Sequence, residues 1–121
     1  MFRQALQGIN ERTEGALGSL IMGVDGISVE KVMLEGGAEA NIDVAAAEVT
    51  SLVRSAQRAG RDIGLGGVRE LILSYQGLYL VARMITTDYF VVLALSPEGN
   101  LGRGRFELRK AELDLAREFA I

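Results

Sequence analysis

Three arginines, Arg54, Arg58 and Arg61, recur at four- and three-residue spacing in RSAQRAGRD, which puts them on one face of a helix. A row of guanidinium groups can grip a partner's carboxylates, or offer one cation to another protein's phosphate chemistry. The plainer reading is a solvated face with Glu48 and Asp62 nearby. A second basic group, Arg103, Arg105, Arg109 and Lys110, is interleaved with Glu107, Glu112 and Asp114 and reads as a balanced surface. Glu35, Glu39 and Asp43 do not have the spacing of a calcium loop, so no metal is expected there. Gly64-Leu65-Gly66-Gly67 and Glu35-Gly36-Gly37 lack the lysine and hydroxyl residue that complete a phosphate loop. The first of them also follows a helix, whereas an anion needs a helix N-terminus. Gly99 to Gly104 (GNLGRG) precedes a helix and has the better polarity, yet reads as a turn.

Composition removes most other chemistry. The chain has no cysteine and no histidine. Disulfides, thiolate zinc sites, cysteine nucleophiles and imidazole acid–base work are therefore impossible. Neither a catalytic centre nor a cofactor is expected. Net charge is −3 with no concentrated basic face, which argues against nucleic acid. No apolar run reaches the roughly 18 residues of a membrane span, and MFRQALQGINER lacks the apolar core of a signal peptide. A cytoplasmic location is the expectation. A length of 121 residues suggests one domain spanning 1–121, able to bury about 65% of its unfolded surface.

The elements that must position these residues are legible from periodicity. Phe2, Ala5, Leu6 and Ile9 predict a short amphipathic helix over 1–13. Strands follow over 16–24 and 27–34, joined at Asp25-Gly26, a pair suited to a type I′ turn with two positive φ angles. Glu35 to Asn41 reads as a glycine-rich loop, with Asn41 as a cap and Asp43 in the first turn of a helix over 42–63. That helix spans about 33 Å. Its apolar stripe is Ile42, Ala45, Ala46, Val49, Leu52, Val53, Ala56 and Ile63. Strands are predicted over 68–75, 78–85 and 89–95. YFVVLAL is apolar on both faces and so belongs at the centre of the sheet, and Pro97 closes it. A last helix runs over 101–120, with Phe106, Leu108, Leu113, Leu115, Ala116 and Phe119 on its apolar side. The fold class is α+β in the order α-ββ-α-βββ-α, a five-stranded antiparallel sheet with the long helix on one face and terminal helices beside it. Phe90, Val92, Leu80, Leu52 and Phe106 are expected in the core.

The run Ala45-Ala46-Ala47, with Ala56 and Ala59, continues small residues further round the long helix than one buried face needs. Small residues let a second helix approach closely, so a contact with a second subunit is expected. Leu71-Ile72-Leu73 is an apolar edge strand, a liability unless it is paired. Ala45, Val49, Ala56, Leu71 and Leu73 are therefore the expected dimer interface of a homodimer.

This order of elements resembles the Roadblock family, of the dynein light-chain roadblock type, and its bacterial MglB-like branch. The resemblance is carried over nearly the whole chain by ALGSLIMGVDGISVEKV, the helix ending RAGRDIGLGG, VRELILSY, LYLVARMI and YFVVLAL. It implies dimers in which long helices pair antiparallel and the following strands join two sheets into one. It also implies a small Ras-like GTPase as partner, docked on the helical face and in some members stimulated to hydrolyse GTP. The residues expected to meet that GTPase are Arg54, Arg58, Arg61, Glu48 and Ala47. The extended C-terminal tail of some members has no counterpart here, so no role for it is expected. Two readings follow, a GTPase-binding or activating subunit and a structural adaptor without effect on hydrolysis. A ligand sensor of the PAS or profilin-like kind is a third. It would need a sizeable pocket with convergent polar groups, and the sheet-facing aliphatics predict none.

Overall fold

The computed structural model describes residues 1–34 and 39–120, with the side chains of residues 39–41 outside that description. The order of elements is α1 (Phe2–Arg12), β1 (Ala16–Gly23), β2 (Ser28–Met33), α2 (Glu39–Asp62), β3 (Glu70–Ser74), β4 (Tyr79–Met84), β5 (Tyr89–Leu95) and α3 (Leu101–Phe119). The five strands form one antiparallel sheet in the order β2-β1-β5-β4-β3. The strand that is apolar on both faces is therefore the central one, as its composition requires. Phe90, Val92 and Ala94 face one layer of core, while Val91, Leu93 and Leu95 face the other.

Each face is covered by helix. α1 and α3 close one side with Leu6, Ile9, Leu108 and Leu115 fully buried. Ser19 Oγ donates to the Leu6 carbonyl at 3.3 Å, and Asn10 Nδ2 donates to the Val32 carbonyl at 3.0 Å, which fixes α1 to β1 and β2. The end of α3 is held by Phe119, whose ring stacks on Tyr89 at 4.1 Å and meets Phe2 at 4.7 Å. α2 closes the other side with Ile42, Ala46, Val49 and Val53.

Four sequence expectations are corrected. The turn at Asp25-Gly26 is not type I′, because no residue other than glycine has positive φ among the described residues. Gly26 N–H donates to the Gly23 carbonyl and Gly23 N–H to the Ile27 carbonyl, both at 2.9 Å. Only Gly26, with φ 89°, needs the left-handed region, so this is a three-residue connection with a glycine bulge. Asp25 instead accepts the Ile27 N–H at 3.0 Å. α2 begins at Glu39 and not Ile42, which moves Asp43 beyond the first turn and puts Asn41 within the helix and not at its cap; the expected Glu35-Gly36-Gly37 loop lies outside the described residues. Leu52 is 40% and Phe106 44% exposed, so neither is core, whereas Phe90, Val92 and Leu80 are buried as expected. Leu113 and Ile63, assigned to apolar stripes, are also exposed.

α2 stops as its glycines predict. Gly64 takes φ 73°, the Leu65 N–H reaches back to the Gly60 carbonyl at 2.8 Å, and the Gly64 N–H reaches the Arg61 carbonyl at 3.4 Å. This pair of bonds is a Schellman stop, and it turns the chain toward β3.

Candidate functional site

The candidate surface lies on α2, because that helix buries only a narrow strip. Ile42, Ala46, Val49 and Val53 point at the sheet, none more than 6% exposed. A helix seated on such a strip leaves two flanks that lead in opposite directions across the sheet. Asp43 marks one of them, since its carboxylate accepts from Lys31 Nζ of β2 at 3.0 Å. This flank faces the β2 edge, and the opposite flank faces β4 and β3.

The β2-facing flank gathers the predicted cations. Ala47, Arg54 and Arg58, with Gly26, Thr50 and Ser51, line a shallow depression of about 320 Å³. Arg61 follows Arg58 by three residues, one turn further along the same side. All three arginines are exposed. Among the described residues their guanidinium groups make no ion pair or hydrogen bond, so the neighbouring Glu48 and Asp62 do not neutralise them. Arg83 and Arg105, by contrast, are committed: Arg83 binds Glu112 at 2.7 Å and Arg105 binds Glu70 at 2.8 Å. Glu48 is exposed on the outer surface of α2, away from the depression.

The β3-facing flank is apolar. Ala45, Leu52, Ala56, Ala59 and Ile63 follow one another at steps of three, four or seven residues, the spacing of one helix side. Leu52 and Ile63 are 40% and 69% exposed. Beside them β3 forms one end of the sheet, so one side of its backbone has no strand partner among the described residues. Leu71 and Leu73 stand opposite Ala82 and Leu80, both core residues under α2, so they line the α2 face of that edge. Ile72 points to the other face at 36% exposed. An apolar helix flank and a sheet edge with one open side thus lie on the same layer of the molecule.

Of the five residues expected at a dimer interface, Ala45, Ala56, Leu71 and Leu73 belong to this surface. Val49 does not, because at 1% exposed it points into the sheet. Ala59, expected from the run of small residues to meet a second subunit, lies on this flank, as do Leu52 and Ile63, which the sequence assigned to the buried stripe. The apolar stripe was too wide for one buried face, and the excess lies on one side.

The interleaved basic group on α3 also resolves differently from its sequence reading. Glu107 has no exposed side-chain surface, and its carboxylate is covered by Arg12 at 2.8 Å, Arg103 at 2.6 Å and Lys110 at 3.2 Å. Burial acts to raise its pKa, but the bonds from Arg12 and Lys110 outweigh burial and hold it below the usual glutamate value. Glu112 turns away to Arg83, so it does not balance this group. Arg103 and Lys110 were legible as neighbours of Glu107 at helical spacing. Arg12 lies 95 residues away in sequence and could not be paired with it by pattern.

Among the described residues no group of three or more carboxylates converges as metal ligands. Of the proposed carboxylate group, Asp43 is bound to Lys31, and the side chains of Glu35 and Glu39 lie outside the described residues. No helix among the described residues is long and apolar enough to cross a membrane.

No family model matches the sequence, and no curated protein matches it as a relative. Solved structures do. The chain is 33% identical to MglC from Myxococcus xanthus over 97% of this chain and 98% of that one, with a TM-score of 0.74. It shares the fold of a Roadblock/LC7 domain from Streptomyces avermitilis at 15% identity, 98% and 97% coverage and a TM-score of 0.84. It also shares the fold of an MglB solved in a tetrameric arrangement, at 20% identity, 98% and 89% coverage and a TM-score of 0.86.

Proposed function

We propose that this chain, which belongs to the Roadblock/LC7 family and is MglB/MglC-like, is a non-catalytic regulatory subunit that pairs with its own copy and docks a small Ras-like GTPase. The observation that carries the pairing is the apolar flank of Leu52 and Ala56 on the same layer as Leu71 and Leu73, at a sheet edge with one open side. An edge of this kind gains most by adding a second copy of itself, because two strands then satisfy each other's backbone groups. The symmetric pairing also brings two α2 helices alongside each other, with Ala45 and Ala56 allowing close approach. An MglB with a tetrameric arrangement supports the view that this fold self-associates.

The GTPase reading draws on the MglB-like resemblance and on the charge of the second flank. Arg54, Arg58 and Arg61 carry positive charge that no carboxylate takes up among the described residues. Such a flank suits an acidic or phosphate-bearing partner surface. A Ras-like GTPase already holds magnesium and its own phosphate loop, so a partner can accelerate hydrolysis by ordering the switch segments. A trans-acting arginine would do more, on the order of 10³-fold. The test is hydrolysis by a Ras-like GTPase from the same genome at saturating subunit. Under the positioning mechanism, Arg54→Ala, Arg58→Ala and Arg61→Ala each weaken binding modestly and leave the saturated rate unchanged. One variant that binds but abolishes stimulation identifies that arginine as a finger. Binding with no change in hydrolysis by the wild type leaves a structural adaptor, and no binding overturns the GTPase reading.

A further inference from the structure

We propose a second docking surface on the opposite side of the molecule, centred on Phe106 of α3, that takes an acidic segment of a protein partner with an apolar anchor. It is independent of the GTPase reading, because α1 and α3 lie across the sheet from α2. Phe106 is 44% exposed, with Arg103 5.3 Å and Lys110 5.4 Å from its ring centre. Leu113, two turns on and 62% exposed, extends the apolar contact along the same side of α3. An exposed aromatic among arginines has the composition of an interface centre.

Charge identifies the occupant. In sequence Arg103, Arg105, Arg109 and Lys110 are offset by Glu107, Glu112 and Asp114, but the fold separates these charges. Glu112 is drawn to Arg83, Asp114 to Arg117, Arg105 pairs with Glu70 beyond the other flank of α3, and Glu107 is covered by three cations. Arg12, Arg103 and Lys110 against one carboxylate leave a local excess of positive charge on a chain whose net charge is −3. Glu107 also fixes these cations without exhausting them. It engages Arg12 through Nε and Arg103 through Nη2, and a guanidinium has five N–H donors. The three side chains remain 44–49% exposed, so the unused donors are available to a carboxylate brought by a partner. Holding the cations in place beforehand lowers the ordering cost of binding. Three cations against one carboxylate are too few to hold a membrane surface, and the planar, fixed guanidinium groups match protein carboxylates.

The experiment titrates the full chain into a fluorescein-labelled glutamate-rich peptide carrying two leucines two helical turns apart, at low and physiological salt. Saturable binding that weakens with salt is expected. Phe106→Ala, Arg103→Ala and Lys110→Ala should each weaken it about tenfold. All three residues are well exposed, so the variants should keep the fold, which far-UV circular dichroism checks. Arg105→Ala, on the other flank, should bind as the wild type does. Equal effects of Arg103→Ala and Arg105→Ala, binding insensitive to salt, or no binding to the peptide would overturn the proposal. So would binding to phosphatidylserine vesicles in preference to the peptide.

Discussion

Arg12 Nε lies 2.8 Å from Glu107 Oε1, a bond that joins residues 95 apart and ties the first helix to the last. Because Arg103 and Lys110 hold the same carboxylate, losing Arg12 leaves Glu107 still paired. Losing Glu107 leaves three cations facing one another. Arg12→Ala should therefore cost less than about 1 kcal/mol, and Glu107→Ala about 1–2 kcal/mol, allowing for solvent screening of the half-exposed cations. Urea denaturation of the two variants measures the difference.

The same cluster sets a pH dependence. The folded-state pKa of Glu107 is depressed, so the unfolded chain takes up this proton first as pH falls. Its contribution to stability is complete above the unfolded value of about 4.5 and is lost as pH falls through the lower folded value. Urea midpoints from pH 7 to pH 3 should fall less steeply for Glu107→Gln than for wild type. Parallel curves would show that the cluster does not contribute.

Phe90 tests the core beneath the functional helix. Its ring is fully buried on the central strand, opposite Met22 and Met84 and under α2. Phe90→Ala should destabilise by about 3–5 kcal/mol. A loss below about 1 kcal/mol by denaturant titration would mean that the central strand is misplaced.

Much of the fold was legible because the signals were local. YFVVLAL announced a central strand, and Gly64 announced the end of α2. The hairpin at Asp25-Gly26 was located but mistyped, because the sequence does not show whether one or two residues take positive φ. The burial errors share a cause. Leu52, Ile63, Phe106 and Leu113 are apolar at helical spacing, and periodicity counts them as core. A single sequence cannot tell a side turned to its own sheet from one turned outward. Val49 was misplaced in the reverse sense, since a small apolar residue reads alike at an interface and in a core. Arg54, Arg58 and Arg61 were found as a row, but their freedom from carboxylates became visible only with the neighbours in place.

Gly64 tests how the α2 flank and the β3 edge are held together. At φ 73° a side chain is strained by about 1–2 kcal/mol. Gly64→Ala should lower stability by that amount. Because the turn delivers the chain to β3, the variant should also raise hydrogen-exchange rates in residues 65–74 more than in β5. Uniform changes across both strands would contradict this.

The account rests on pairing through Leu52, Ala56 and the β3 edge, and the mass of the protein in solution tests it most directly. Sedimentation equilibrium at micromolar concentration should give twice the chain mass of 13.0 kDa, about 26 kDa. A charge placed on either flank residue would be buried unpaired in the contact. Leu52→Asp and Ala56→Asp should therefore sediment as folded monomers of 13.0 kDa. A monomeric wild type, or Leu52→Asp and Ala56→Asp variants that pair as tightly as wild type, would contradict it.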